Sequence, residues 1–389
     1  MNRETNRLLF CLLRSAICGN ELRSNEKELL TAESVAEIMC LARKHDVEHL
    51  AAFALKQNRI PSVSADYSAK LENCILKAAF RHRQLNFEYE NLCSVFEDAE
   101  IPFIPLKGSV IRKFYPEAWM RTSCDIDILI CESDLDKATA ILVDEFEYTY
   151  KGKGSHDVSL FSPGNIHLEL HYNLVEDGIA KESSDILRKV WEQTYVRKGC
   201  KYCRDMTDAM FYFYHVAHMA KHFENGGCGI RPFIDMFILD NLDGSNYTER
   251  DNLLLHGGLL KFANICRTLA RVWFGGYDSD SLSRQMEDYI LRGGVYGNSE
   301  NRITVQQQKK GGKLRYAISR IFIPYEEIKF HYPILERHKW LTPLMEVRRW
   351  FKLIFCGGAK RSINELKYNN SISADKASEM KKFLSNIGL

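Results

Sequence analysis

No stretch of this chain reaches eighteen uninterrupted apolar residues. The N-terminal run Leu8-Leu9-Phe10-Cys11-Leu12-Leu13 is stopped by Arg14. It is too short for a membrane span and carries no signal-type cleavage site. Charge of one sign is also lacking: 53 Lys and Arg face 51 Asp and Glu, a net charge of +2. That balance excludes nucleic-acid binding by bulk charge and leaves only local basic patches. With 23 Gly and 9 Pro, the chain is neither low-complexity nor collagen-like. Its twelve cysteines (11, 18, 40, 74, 93, 124, 131, 200, 203, 228, 266 and 356) do not cluster. They read as reduced thiols of a cytosolic, cytoplasmic protein rather than as a disulfide framework. No internal repeat is present.

What is there is ordinary globular composition: 389 residues, 45% apolar and 27% charged. Such a length suggests two or three domains and a core that needs no staples. Residues 1–98 read as an N-terminal helical region. Apolar residues recur at helical spacing in Leu8-Leu9-Leu12-Leu13 and Val35-Ile38-Met39-Ala42. Ser34 and Glu37 fit a capping box. A long amphipathic helix is expected from about Tyr67 to Phe96.

At Ile101 the pattern changes, and residues 99–178 form the only clear mixed α/β segment. Ile101 to Leu106 is short and β-rich, and a helical stretch, Val110 to Tyr115, follows Lys107-Gly108-Ser109. Asp125 to Ile130 alternates with period two and reads as a strand. Ser133 is placed to cap a helix. His156–Phe161 and Ile166–Tyr172 read as strands joined by the turn Pro163-Gly164-Asn165. Residues 179–295 return to helix, with an aromatic, His-rich helix over Asp208–Glu224 and another resuming at Arg231. Residues 296–389 read as a polar flexible loop to about 313, followed by helices, basic at Arg348-Arg349 and Lys360-Arg361.

The chemistry lies in the mixed block. Asp125 and Asp127 are two apart on a strand, so both leave one face, roughly 7 Å apart along it. They repel unless a cation sits between them. All-oxygen ligands of this kind suit Mg²⁺, with substrate phosphates completing its shell. Asp-x-Asp alone is also an ordinary solvated strand face. Glu169 shares a face with His167 and His171, while Leu168 and Leu170 face the core, which requires either a polar site or an exposed sheet edge. Gly108-Ser109 stands at a strand-to-helix turn, where free amides and the helix dipole favour phosphate, or where a plain cap suffices.

Together these residues resemble a family. Gly108-Ser109, a helix, Asp125-Ile126-Asp127 on a strand and Glu169-Leu170-His171 on a later one resemble the nucleotidyltransferase (DNA polymerase β-like) superfamily. With Ile101-Pro102, Leu106-Lys107, Tyr115-Pro116, Arg121 and Arg231-Pro232-Phe233-Ile234-Asp235, the chain is similar to a bacterial group called uncharacterised nucleotidyltransferases. The resemblance implies an α+β fold, a small mixed-sheet nucleotidyltransferase core embedded in a mainly α-helical protein. It implies that Asp125, Asp127 and Glu169 are catalytic and bind two Mg²⁺ ions, with Mn²⁺ as an alternative. Gly108 and Ser109 would hold the triphosphate of an NTP such as ATP. A nucleoside monophosphate would pass to an acceptor hydroxyl on a small molecule, protein or RNA, and pyrophosphate would leave. Lys107 and Arg121 are candidate phosphate ligands or solvated cations. The rivals are a non-catalytic nucleotide-binding or regulatory protein on this fold, and a toxin-like enzyme modifying tRNA or protein.

His215, His218 and His222 share one helix face. They can form a substrate-contacting cleft wall, a Zn site or a polar seam between helices. Arg231 and Asp235, four apart, can pair with each other, or Arg231 can contact nucleotide. Cys200-x-x-Cys203 has no second pair and reads as two loop thiols. Arg348-Arg349-Trp350-Phe351-Lys352 can touch membrane or RNA, or belong to an amphipathic helix packed on its own domain.

Overall fold

Period-two patterning in the middle of the chain becomes a five-stranded sheet. The computed structural model describes residues 3–176, 178–295, 297–355 and 359–389. Cys356, and the side chains of Lys360 and Arg361, lie outside the described residues. The strands are β1 (Phe103–Pro105), β2 (Asp125–Ile130), β3 (Thr149–Lys153), β4 (Asp157–Phe161) and β5 (His167–His171), in spatial order β1-β2-β5-β4-β3. β2 and β5 run parallel, and the other neighbours are antiparallel. A separate ribbon joins β6 (Thr194–Val196) to β7 (Arg204–Met206). Everything else is mainly helical, so the molecule is an α+β fold.

The alternation of β2 and β5 decides which way the sheet faces. Ile126, Ile128, Ile130, Leu168 and Leu170 are fully buried against Leu85, Leu92 and Phe96 of the helix Ala65–Asp98. Burying each such side chain contributes about 1.5–3 kcal/mol, which fixes the register. A one-residue slip would turn the isoleucines out and the carboxylates in. The acidic residues are therefore left on the opposite face. That face is roofed by the helix Asp208–Glu224.

A larger core unites the N-terminal helices with those of 208–291. Phe10 stacks on Trp273 with centroids 4.2 Å apart. The Ala65–Asp98 helix serves both cores, with Leu71 in the larger one and Leu85, Leu92 and Phe96 under the sheet.

Several local expectations are corrected. Thr31, not Ser34, caps the Ala32–Lys44 helix: Thr31 Oγ1 accepts from the Ser34 amide at 3.2 Å, and Glu37 accepts instead from Thr5 Oγ1. Ser133 lies inside a 3-10 turn, Glu132–Asp134, and makes no cap. The polar run after 296 is not a loop but the helix Ser299–Lys309, capped by Asn298. Gln and Lys are good helix formers. The helix also gains a buried Gln307–Asn369 side-chain bond of 2.9 Å from a later helix. β3 gave no signal because it is an edge strand with mostly exposed side chains, and lysines guard it.

Candidate active site

Strand pairing assembles the carboxylates. In the parallel β2–β5 ladder, Asp125 stands opposite His167, Asp127 opposite Glu169, and Leu129 opposite His171. β5 is flanked by β2 and β4, so its His-x-Glu-x-His row is no exposed edge. Potential ligand atoms of Asp127, Glu169 and His171 lie within 4.8 Å of one another, as do those of Asp125, His167 and Glu169. Glu169 belongs to both sets.

The charges in this cluster are strongly coupled. Asp127 is 4% exposed. Its Oδ1 accepts from Lys107 Nζ at 2.7 Å and from His171 Nε2 at 3.0 Å. Burial opposes its ionisation, but the Lys107 charge and these bonds hold its carboxyl far below the usual carboxylate range. His171 Nε2 also lies 3.5 Å from Glu169 Oε2. Burial disfavours the imidazolium, yet Asp127 and Glu169 together raise the His171 pKa. The His171 bond holds Glu169 below its ordinary value. Asp125 goes the other way: burial, then repulsion from Asp127 and Glu169, raises its pKa. A carboxyl repelled by two others is an excess of negative charge that a divalent cation would relieve. The donor set, carboxylate oxygens with an imidazole, therefore fits one.

Lys107 reaches Asp127 from a strained turn. Its φ of +43° and ψ of −120° are unusual for a residue with a side chain. Such strain costs on the order of 1–3 kcal/mol and tends to gather at functional sites. The short helix Gly108–Ile111 follows. Its Ser109, Val110 and Ile111 amides already bond the carbonyls of Leu106 and Lys107. Gly108 lines the cleft and Ser109 does not. A Cβ on Gly108 would approach Ser123 to 3.3 Å, so close packing also asks for glycine here.

The cleft encloses about 390 Å³ between the sheet and the His-rich helix. Lys107, Gly108, Arg121, Asp125, Asp127 and Glu169 line it, and so do His215, His218 and Arg231. The sequence candidates thus converge, Ser109 excepted. Arg121 is committed, however: its guanidinium forks onto Asp235 at 2.7 and 2.8 Å, and its Nη1 donates to the Thr122 carbonyl. Tyr115 donates to the same Asp235 at 2.6 Å. Of the two alternatives for Arg231, the pair with Asp235 is not formed. Arg231 instead donates to Asp46 at 2.6 Å.

Of the three histidines, His215 Nε2 bonds the Pro232 carbonyl at 3.0 Å, and His218 bonds His222 at 2.9 Å. Burial, with the Lys107 charge nearby, lowers His218 to about 3. Burial and His218 lower His222 to about 2. They serve as cleft wall. Among the described residues no group of three metal-binding side chains includes them, or includes Cys200 and Cys203.

The structure adds residues the sequence did not single out. Glu176 forms an ion pair with Lys221 and lies 3.4 Å from His156 and 3.5 Å from His218. His156 stacks on His171. Burial and Lys107 lower Lys221 to about 8. Glu176 and Lys221 meet from segments 45 positions apart, and no local pattern marks either.

The family profile described as uncharacterised nucleotidyltransferase matches residues 31–275. No curated protein and no solved structure matches the chain. The matched span runs from the N-terminal helices through the sheet and its carboxylate cluster to the histidine helix and beyond, well over half of the sequence, and the chain belongs to the uncharacterised nucleotidyltransferase family.

Proposed function

We propose that this protein transfers a nucleoside monophosphate from an NTP to an acceptor hydroxyl. The observation that carries the reading is the β2–β5 register, which sets Asp127 opposite Glu169 and Asp125 two positions earlier on the same face, in a cleft walled by histidines. In the reaction the acceptor oxygen bonds to the α-phosphorus, the bond to the β,γ-phosphates breaks, and the acceptor's proton is lost as pyrophosphate leaves.

Asp125, Asp127 and Glu169 would hold divalent cations, two Mg²⁺ or Mn²⁺ ions, which supply charge neutralisation on the phosphates and polarise the acceptor hydroxyl. Lys107 keeps its proton, because Asp127's charge outweighs the burial that opposes it. It can exchange its bond to Asp127 for a phosphate oxygen when cations arrive. Gly108 gives the triphosphate a flat approach beside it. Lys221 and Arg231 are the further cations of the cleft, and each is paired with a carboxylate until an anion competes for it. Arg121 acts as a positioning residue: its fork onto Asp235 ties the segment before β2 to the helix Arg231–Asp240.

A second reading, a non-catalytic nucleotide-binding protein, is favoured by the Lys107–Asp127 bond alone, since an internal ammonium already meets one carboxylate. One experiment separates the two. The purified chain is incubated with each α-labelled NTP, Mg²⁺ and cell extract. Mg²⁺-dependent transfer of label to a macromolecule or metabolite, absent in Glu169→Gln, supports the transferase. NTP binding with no transfer under any condition supports the second reading.

A further inference from the structure

We infer that the C-terminal helices form a docking surface for an anionic lipid membrane. The inference does not depend on the catalytic reading. It begins with charge. Residues 296–389 contain 18 Lys and Arg against 8 Asp and Glu, a net charge of +10, whereas residues 1–295 carry −8. The near-neutral total hides this asymmetry.

The second observation is what the basic region exposes. In the helix Thr342–Phe355, Leu344, Val347, Phe351 and Phe355 are spaced three, four and four apart and so share one face. They are 58%, 40%, 57% and 79% exposed. An amphipathic helix packed on its own domain would bury that stripe. This one turns Met345 and Glu346 inward instead, and Arg349 bonds both Glu346 and the Ile321 carbonyl. Arg348 and Lys352, both exposed, flank the apolar stripe. The helix Lys313–Ile321 repeats the arrangement. Leu314, Ile318 and Ile321 are exposed at i, i+4 and i+7, with Lys313, Arg315 and Arg320 beside them. Trp350 ties the two helices together, donating to the Ile321 carbonyl at 2.8 Å and meeting Phe322 edge-on. Trp340 is 75% exposed at the entry to the longer helix.

Two apolar stripes edged with Lys and Arg and accompanied by exposed aromatics match the physics of helices that lie in a membrane interface. The apolar side chains enter the acyl boundary while the cations meet anionic headgroups, and each basic residue near the surface adds to the attraction. RNA would use the arginines but gains nothing from exposed Leu, Ile and Val. Among the described residues no helix is long and apolar enough to cross a membrane, so the contact is with the surface.

The test is flotation of the full chain with vesicles of phosphatidylcholine alone or with a third of phosphatidylglycerol. The chain should float with the anionic vesicles and stay behind with the neutral ones, and high salt should weaken the association. Phe351→Glu with Phe355→Glu, and separately Arg348→Ala with Lys352→Ala, should each lower the partition about tenfold or more. Leu314→Glu tests the second helix independently. All these side chains are exposed, so the melting temperature should stay unchanged. No flotation with anionic vesicles, or equal flotation of wild type and the Phe351/Phe355 variant, overturns the inference. So does a concentration-dependent dimer that the same variant dissociates, because the stripe would then face a second copy. Binding to random-sequence RNA that outcompetes anionic vesicles would likewise reassign the surface.

Discussion

Lys107 Nζ lies 2.7 Å from Asp127 Oδ1, and the two side chains, 23% and 5% exposed, form a nearly buried ion pair at the floor of the cleft. From the sequence, Asp125 and Asp127 are two carboxylates that repel each other on one strand face unless a cation sits between them. Tertiary structure gives Asp127 two cationic partners instead.

Replacing Asp127 by Asn should therefore destabilise the metal-free protein. It removes the negative charge that Lys107 and His171 share, leaving at most a neutral amide oxygen to accept from them, and breaking a buried pair costs about 3–5 kcal/mol, less here because Lys107 is partly solvated. Activity should fall by orders of magnitude. Differential scanning fluorimetry with and without Mg²⁺ checks both points: the wild type should gain a metal-dependent shift, and the variant should melt lower and gain almost none. An unchanged melting temperature would contradict the pairing.

Asp125→Asn should behave oppositely. Burial and the charges of Asp127 and Glu169 raise the Asp125 pKa, so ionising it costs more in the fold than in the unfolded chain. Removing that charge should leave the metal-free melting temperature equal or higher while abolishing transferase activity. A clear loss of metal-free stability would show that Asp125 has a cationic partner.

For Arg121, truncation should cost stability before it costs substrate affinity. Arg121→Ala leaves the Asp235 charge buried with only the Tyr115 hydroxyl donating to it, a loss of about 3–5 kcal/mol. Arg121→Lys keeps the charge but not the fork and should melt between wild type and Ala. The KM for NTP in the folded protein should be unchanged. A raised KM with a wild-type melting temperature would make Arg121 a phosphate ligand.

His45, which lines the cleft but belongs to neither carboxylate cluster, gives a second source of pH dependence. It is fully buried, and neither ring nitrogen has a well-formed hydrogen bond. Burial, reinforced by Lys44, lowers its pKa from 6.5 to about 4. A histidine held below its unfolded value stabilises the neutral fold. That contribution is complete above pH 6.5 and is lost as pH falls toward 4. It amounts to at most about 3 kcal/mol. His218 and His222 act in the same direction. His45→Leu should be near-neutral or stabilising at pH 7.5 and should flatten the fall in melting temperature between pH 6.5 and 4.5. An acid profile parallel to wild type would remove His45 from this role.

The sequence by itself determined what depends on local periodicity. Ile126, Ile128, Leu168 and Leu170 alternate with Asp125, Asp127 and Glu169, and a strand has only two faces, so the carboxylates had to leave on the polar one. The long helix to Phe96 and the His-rich helix followed from 3.6-residue spacing in the same way. Tertiary structure decided what depends on partners distant in the chain. Arg121 could equally face phosphate or Asp235 until the Arg231–Asp240 helix docked beside it. The aspartate repulsion could be judged only once Lys107 and His171 closed on Asp127. The polar run after Asn298 became a helix because Asn369 completes Gln307, and the stripe of Leu344, Val347, Phe351 and Phe355 was left bare because nothing in the described fold packs over it. Periodicity dictates which face a residue takes, whereas charge pairing and burial depend on which other segment arrives at that face.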